Sequence, residues 1–129
     1  VHDAVRPLVS KDKIREMFAL AQKVPALIPV MPVTDTLKVL ERDGDGSLKA
    51  TGESVDRSHI YGAQTPQVFY SEILKESYGQ GFDTAVTADA SVAAKNGIPL
   101  SFVEGERYNI KITTPEDLTL ARAIYSLPV

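Results

Sequence analysis

Apolar positions along this chain change their spacing several times, and the changes mark out its elements. Ile14, Met17, Phe18 and Ala21 recur at i, i+3, i+4 and i+7, which predicts an amphipathic helix over 10–23 with one buried face and Ser10 as its N-cap. Pro25-Ala26-Leu27-Ile28-Pro29-Val30 is then apolar without alternation, the pattern of a strand covered on both faces. From 34 to 64 the chain turns polar and turn-rich. Asp43-Gly44-Asp45-Gly46, between Leu37–Leu40 and Ser47–Ala50, predicts a β-hairpin projecting from the core, with Asp-Gly supplying the positive φ of a tight turn.

Helical spacing returns over Ser71–Tyr78, stopped by Gly79, and over Asp89–Lys95, stopped by Asn96-Gly97. Leu100–Glu104 reads as a strand. The last helix is the best marked: Thr114 can cap it, Pro115 suits its first position, and Asp117 completes a capping box. Leu118, Ala121, Ile124 and Tyr125 would form its buried stripe. Helices alternating with strands, plus one projecting hairpin, predict an α/β core (1–33 and 66–129) with an arm (34–65).

Composition narrows the function classes. The 129 residues suffice for one core, and a net charge of -3 provides no broad positive field for nucleic acid, so any anion site must be local. No stretch is long and apolar enough for a bilayer span, so no membrane partner is expected. The absence of cysteine excludes disulfides and thiolate metal sites and fits a cytoplasmic protein.

Two motifs fail on their own chemistry. Glu41–Ser47 resembles the start of a calcium loop, but the ninth position is Lys49 and the twelfth, where a bidentate Glu belongs, is Gly52. Gly79-Gln80-Gly81 opens like a dinucleotide fingerprint but follows a helix and reaches Thr84 where the last glycine should stand; a helix stop is the better reading.

The remaining polar residues gather at expected strand ends and loops: Asp3 and Arg6, Asp35-Thr36, Asp56-Arg57, Gln64–Gln67, Thr87–Ser91, and Asn109-Ile110-Lys111. In open α/β sheets, ligands bind at such junctions. Arg forks match phosphate oxygens, Lys adds a point charge, and a carboxylate beside them can take Mg²⁺ or a sugar hydroxyl. Taken singly, each is equally a cap or a surface polar residue; together they describe an anion-binding α/β domain.

Their order along the chain is more specific. His2-Asp3-Ala4-Val5-Arg6-Pro7, Val33-Thr34-Asp35-Thr36, Val55-Asp56-Arg57, Gln64-Thr65-Pro66-Gln67-Val68-Phe69 and Asn109-Ile110-Lys111-Ile112-Thr113-Thr114-Pro115-Glu116-Asp117-Leu118 together resemble the 2-C-methyl-D-erythritol 4-phosphate cytidylyltransferases. The resemblance implies a Rossmann-like nucleotidyltransferase fold, homodimeric through the hairpin arm, and transfer of CMP from CTP to methylerythritol phosphate with release of pyrophosphate. It implies roles too: Asp3 on Mg²⁺ or the substrate hydroxyls, Arg6 orienting the sugar phosphate, Thr65 and Thr87 lining the polyol pocket, and Lys111 on the substrate phosphate. Thr36 and Arg57 would reach the partner subunit's site from the arm, Arg57 to the phosphate.

Two departures qualify the resemblance. After Thr87 the family usually has two acidic residues before Ala-Ser, whereas this chain reads Ala88-Asp89-Ala90-Ser91, one carboxylate fewer. The family's glycine-rich loop, whose backbone N–H groups cradle the CTP phosphates, has no counterpart in this sequence. The expectation is therefore a piece that keeps the polyol-phosphate side of the pocket and is inactive alone. Ribitol-5-phosphate cytidylyltransferases share much of the motif order, and a non-catalytic sugar-phosphate-binding or dimerisation module is the alternative outside the enzymes.

Overall fold

In the computed structural model the described residues are 1–79, 93–95 and 97–128. They form two compact units, one of Val1–Met31 with Ala63–Val129 and one of Pro32–Gly62.

The larger unit is built on β1 (Ala26–Pro32), whose first four residues are buried, as an apolar run without alternation requires. Three strands pair with β1: β4 (Tyr61–Ala63), β5 (Val68–Phe69) and β6 (Ser101–Glu104). β6 runs parallel in the register Leu27↔Ser101 to Val30↔Glu104, and β5 antiparallel through Ala26↔Phe69 and Leu27↔Val68. A parallel neighbour that follows far along the chain is the mark of an α/β crossover.

α1 (Lys11–Leu20) starts where its cap predicts, with Ser10 Oγ accepting from Lys13 N at 3.0 Å. Met17 and Ala21 pack with Leu27 into the core, against Val24, Val68 and Val103. Phe18 departs from the expected buried face and is 61% exposed. α1 meets the sheet along the line of Met17 and Ala21, and Phe18, one residue round the helix, falls outside it. α2 spans Ser71–Gly79, and the residues after the expected glycine stop lie outside the described ones. Of the helix expected over Asp89–Lys95 only 93–95 are described; these are helical, and Gly97, at φ +79°, takes the left-handed conformation of a C-terminal stop.

α3 (Pro115–Tyr125) carries the full capping box: Asp117 N donates to Thr114 Oγ1 at 3.2 Å, and Asp117 Oδ2 accepts from Thr114 N at 3.0 Å. Its expected stripe is only partly buried. Ala121 is enclosed and Ile124 half-buried, but Leu118 is 43% and Tyr125 83% exposed. Helix periodicity put all four on one side, but this helix lies against its unit by the narrow edge at Ala121.

The smaller unit contains β2 (Leu40–Arg42) and β3 (Leu48–Ala50), antiparallel with Glu41 opposite Lys49. Gly46 N donates to Asp43 O and Asp43 N to Ser47 O, both at 2.9 Å, and the positive φ falls on Gly46 at +86°. This is a three-residue hairpin loop closed by a left-handed glycine. Two of the three acids of the rejected calcium loop are engaged within it: Asp43 pairs with Lys49 Nζ at 2.6 Å, and Asp45 Oδ1 accepts from Ser47 Oγ at 2.6 Å. The Ser47 hydroxyl and N–H hold the Asp45 carboxyl below its ordinary value.

Candidate functional site

The first residues of the chain are held by backbone pairing. Val1 and Gln67 exchange two bonds, each 2.8 Å, as opposed residues do in an antiparallel pair. The chain then turns, with Arg6 N donating to Asp3 O at 3.0 Å, and Val5 O accepts from Ile112 N at 2.9 Å. Residues 1–6 therefore run beside 65–67 on one flank and 112 on the other. Asp3, Arg6, Thr65 and the segment carrying Lys111, which sequence alone scattered over more than a hundred positions, converge on one region of the larger unit.

Side chains lock this arrangement. Thr65 Oγ1 accepts from Asp3 N at 2.9 Å and lies 2.8 Å from His2 Nδ1, while His2 Nε2 lies 2.8 Å from Arg6 O. Arg6, with its side chain only 12% exposed, donates from Nε to Asp3 Oδ2 at 3.3 Å and from its guanidinium to Asn109 O at 2.7 Å. Its charge thus serves the neighbouring carboxylate and a carbonyl and fixes the direction of the fork. Asp3 is 38% exposed and keeps a carboxylate edge for solvent or ligand. Lys111 is exposed at the margin of the region.

A second layer of amides lies beneath. Gln64 Nε2 donates to Glu106 O at 2.9 Å and its Oε1 accepts from Glu106 N at 3.1 Å. Glu106 in turn accepts from Ser10 N at 3.0 Å and Ser10 Oγ at 2.7 Å. The cap of α1 is thereby tied to the loop after β6. His2, Gln64 and Glu106 were not given a role by the sequence. His2 and Gln64 stood inside the motifs that carry the resemblance, and Glu106 had no local signal.

Arg57 and Thr36 belong to the smaller unit. Arg57 opens a 3-10 turn (Arg57–His59) capped by Asp56, whose Oδ1 accepts from Ser58 N at 3.0 Å and Ser58 Oγ at 2.6 Å. These bonds hold the Asp56 carboxyl below its ordinary value. The Arg57 guanidinium donates to Thr34 O, and the two residues, with Pro32, Val33, Asp56 and Tyr61, line a cavity of about 540 Å³. Thr36 is exposed and is not among the residues lining it. Thr87, with Ala88 and Asp89 after it, lies outside the described residues.

Comparison with known proteins explains the motif order. The model of the family described as 2-C-methyl-D-erythritol 4-phosphate cytidylyltransferase matches residues 1–126. The chain belongs to that family. The cytidylyltransferase of Bacteroides thetaiotaomicron is 45% identical over 124 residues, 96% of this chain and 53% of the relative. That of Dictyoglomus thermophilum is 41% identical over 130 residues, 98% of this chain and 54% of the relative. The chain thus spans about half the length of these curated relatives. The crystal structure of the Thermus thermophilus cytidylyltransferase superposes with a TM-score of 0.83 at 36% identity, covering 98% of this chain and 61% of that one. The expected α/β nucleotidyltransferase fold is therefore the fold observed.

The family implies a divalent cation with its nucleotide. Among the described residues no three acidic, histidine or cysteine side chains group to hold a metal ion. Asp3 offers a single, partly exposed carboxylate. That suits Mg²⁺ carried mainly by phosphate and water, which asks one or two carboxylates of its protein, and does not suit an all-protein cage. Among the same residues no helix is long and apolar enough to cross a membrane.

Proposed function

We propose that this chain supplies the polyol-phosphate side of a cytidylyltransferase that transfers CMP from CTP to 2-C-methyl-D-erythritol 4-phosphate and releases pyrophosphate. The observation that carries this reading is the convergence of Asp3, Arg6 and Thr65, with Lys111 at the margin, in a chain whose family is defined by that reaction. A phosphate monoester is already an anionic nucleophile, so no general base is needed. One of its oxygens attacks the α-phosphorus of CTP in line as the bond to pyrophosphate breaks. Catalysis then rests on positioning and on neutralising charge.

Lys111 is the cation for the substrate phosphate. Thr65 faces the polyol, and the fixed Arg6 fork orients the sugar phosphate while bracing the Asp3 carboxylate for metal or hydroxyl. Mg²⁺, held by Asp3 and the nucleotide, would neutralise phosphate charge. Thr36 and Arg57 act from the arm formed by residues 34–65, across a homodimer, with Arg57 on the phosphate of the partner's substrate; Thr87 completes the polyol pocket. The absence of cysteine supports a cytoplasmic location. Ribitol 5-phosphate is the competing substrate, and the sequence around Asp56-Arg57 favours methylerythritol phosphate.

The test is a pyrophosphate-release assay on the complete gene product, offered CTP with each polyol phosphate. Turnover with methylerythritol phosphate is expected, and Arg57→Ala or Lys111→Ala should cut kcat/KM by about 10²-fold or more. Turnover with ribitol phosphate alone, or none with either, would overturn the reading.

A further inference from the structure

Asn109 is an unusual residue to find where it is. It is 1% exposed, one of the most deeply enclosed polar residues described. Its Nδ2 donates to Thr65 O at 2.8 Å and approaches Gln64 Oε1 at 3.4 Å, while its own carbonyl accepts the Arg6 guanidinium at 2.7 Å. Its Oδ1 is buried and has no partner among the described residues. A buried acceptor left unpaired lowers stability. An apolar residue of similar volume would instead leave Thr65 O without its donor, so the amide's use here lies in the bond it makes to the Thr65 loop. One residue here joins two loops: its side-chain donor reaches Thr65 O, while its main-chain carbonyl, present whatever the side chain, accepts from Arg6. Lys111 lies two residues further on, on the same segment.

We propose that Asn109 is a positioning residue for the sugar-phosphate site, fixing the spacing of Thr65, Arg6 and Lys111 without touching substrate. The assignment rests on the function proposed above, but the coupling of the two loops does not. Gln64 backs it by presenting Oε1 to the Asn109 amide and gripping Glu106 with both ends of its carboxamide.

Two measurements on the complete gene product test this. In amide hydrogen exchange, Asn109→Ala should accelerate exchange at both Asp3–Arg6 and Thr65–Gln67 and leave α1 unchanged. No acceleration, acceleration in one loop only, or uniform acceleration across the protein would overturn the coupling. In steady-state kinetics, Asn109→Ala should raise KM for the polyol phosphate about tenfold with KM for CTP unchanged. Its effect should be less than multiplicative with that of Thr65→Ala, because both loosen the hold on one residue, the first at Thr65 O and the second at Thr65 Oγ1. Equal losses for both substrates, or fully multiplicative effects, would mean a merely structural amide. If Asn109→Ala does not fold, Gln64→Glu, which replaces the donor to Glu106 O by an acceptor, should give the same split in smaller degree; its absence would count against the proposal. Should the unsubstituted protein transfer no CMP, the functional reading fails and hydrogen exchange alone judges the coupling.

Discussion

At Gly105 the space of a side chain is already taken. A Cβ there would stand 2.4 Å from Gln64 Oε1 and 3.1 Å from Gln64 Cδ. The end of a glutamine can usually swing aside, but this one is held by Glu106 N, Glu106 O and the Asn109 amide. Gly105→Ala should therefore break that grip and lower unfolding free energy by about 1–3 kcal/mol, read from urea denaturation. An unchanged midpoint would mean that the carboxamide moves freely. Little of this was legible in the sequence. Asp3, Arg6, Thr65 and Lys111 could be singled out because charge and hydroxyl chemistry are written in each residue. Gln64, Glu106 and Asn109 matter through one another, across separations of |i−j| = 42 and 45, and no local pattern records such a partnership.

Elements were legible in proportion to how local their causes are. The start of α3 is fixed by residues within one turn, so Thr114, Pro115 and Asp117 announced it correctly. Which members of the stripe find a neighbour is a tertiary matter, and Leu118 and Tyr125 remain exposed. The same cap makes α3 sensitive to acid. The N–H and hydroxyl of Thr113, then the N–H of Thr114, lower the Asp117 carboxyl below 3.8. Because its value in the folded chain lies below that in the unfolded chain, the stabilisation is complete above the unfolded value and is lost as pH falls through the folded one. Thr114→Ala should cost about 1 kcal/mol at neutral pH, whereas Asp117→Asn should destabilise at neutral pH by an amount that shrinks on acidification below pH 3.8, both followed by circular dichroism. A cost of Asp117→Asn that does not change with pH would exclude the reciprocal cap.

Across the whole molecule, the division into two units bears on assembly. Val33 N donates to Ile60 O at 3.4 Å, so the smaller unit closes on itself at its stem. Replacing residues 34–59 by an Asn-Gly turn should therefore leave the exchange protection of β1 and α1 intact. On the proposed homodimer it should also convert dimer to monomer in light scattering. A persistent dimer would move the subunit contact off the arm. The reciprocal Val1–Gln67 bonds and the Arg6–Asn109 bond have a different consequence, one that concerns time. They close over |i−j| = 66 and 103, the first about half and the second most of a chain of 129 residues. Contacts of that reach reward the chain only after most of its loop-closure entropy has been lost. During synthesis Arg6 leaves the ribosome 103 residues ahead of Asn109, and the pocket they share cannot form until Asn109 is outside the exit tunnel. Over that interval the growing chain carries half of a binding site with nothing to close it.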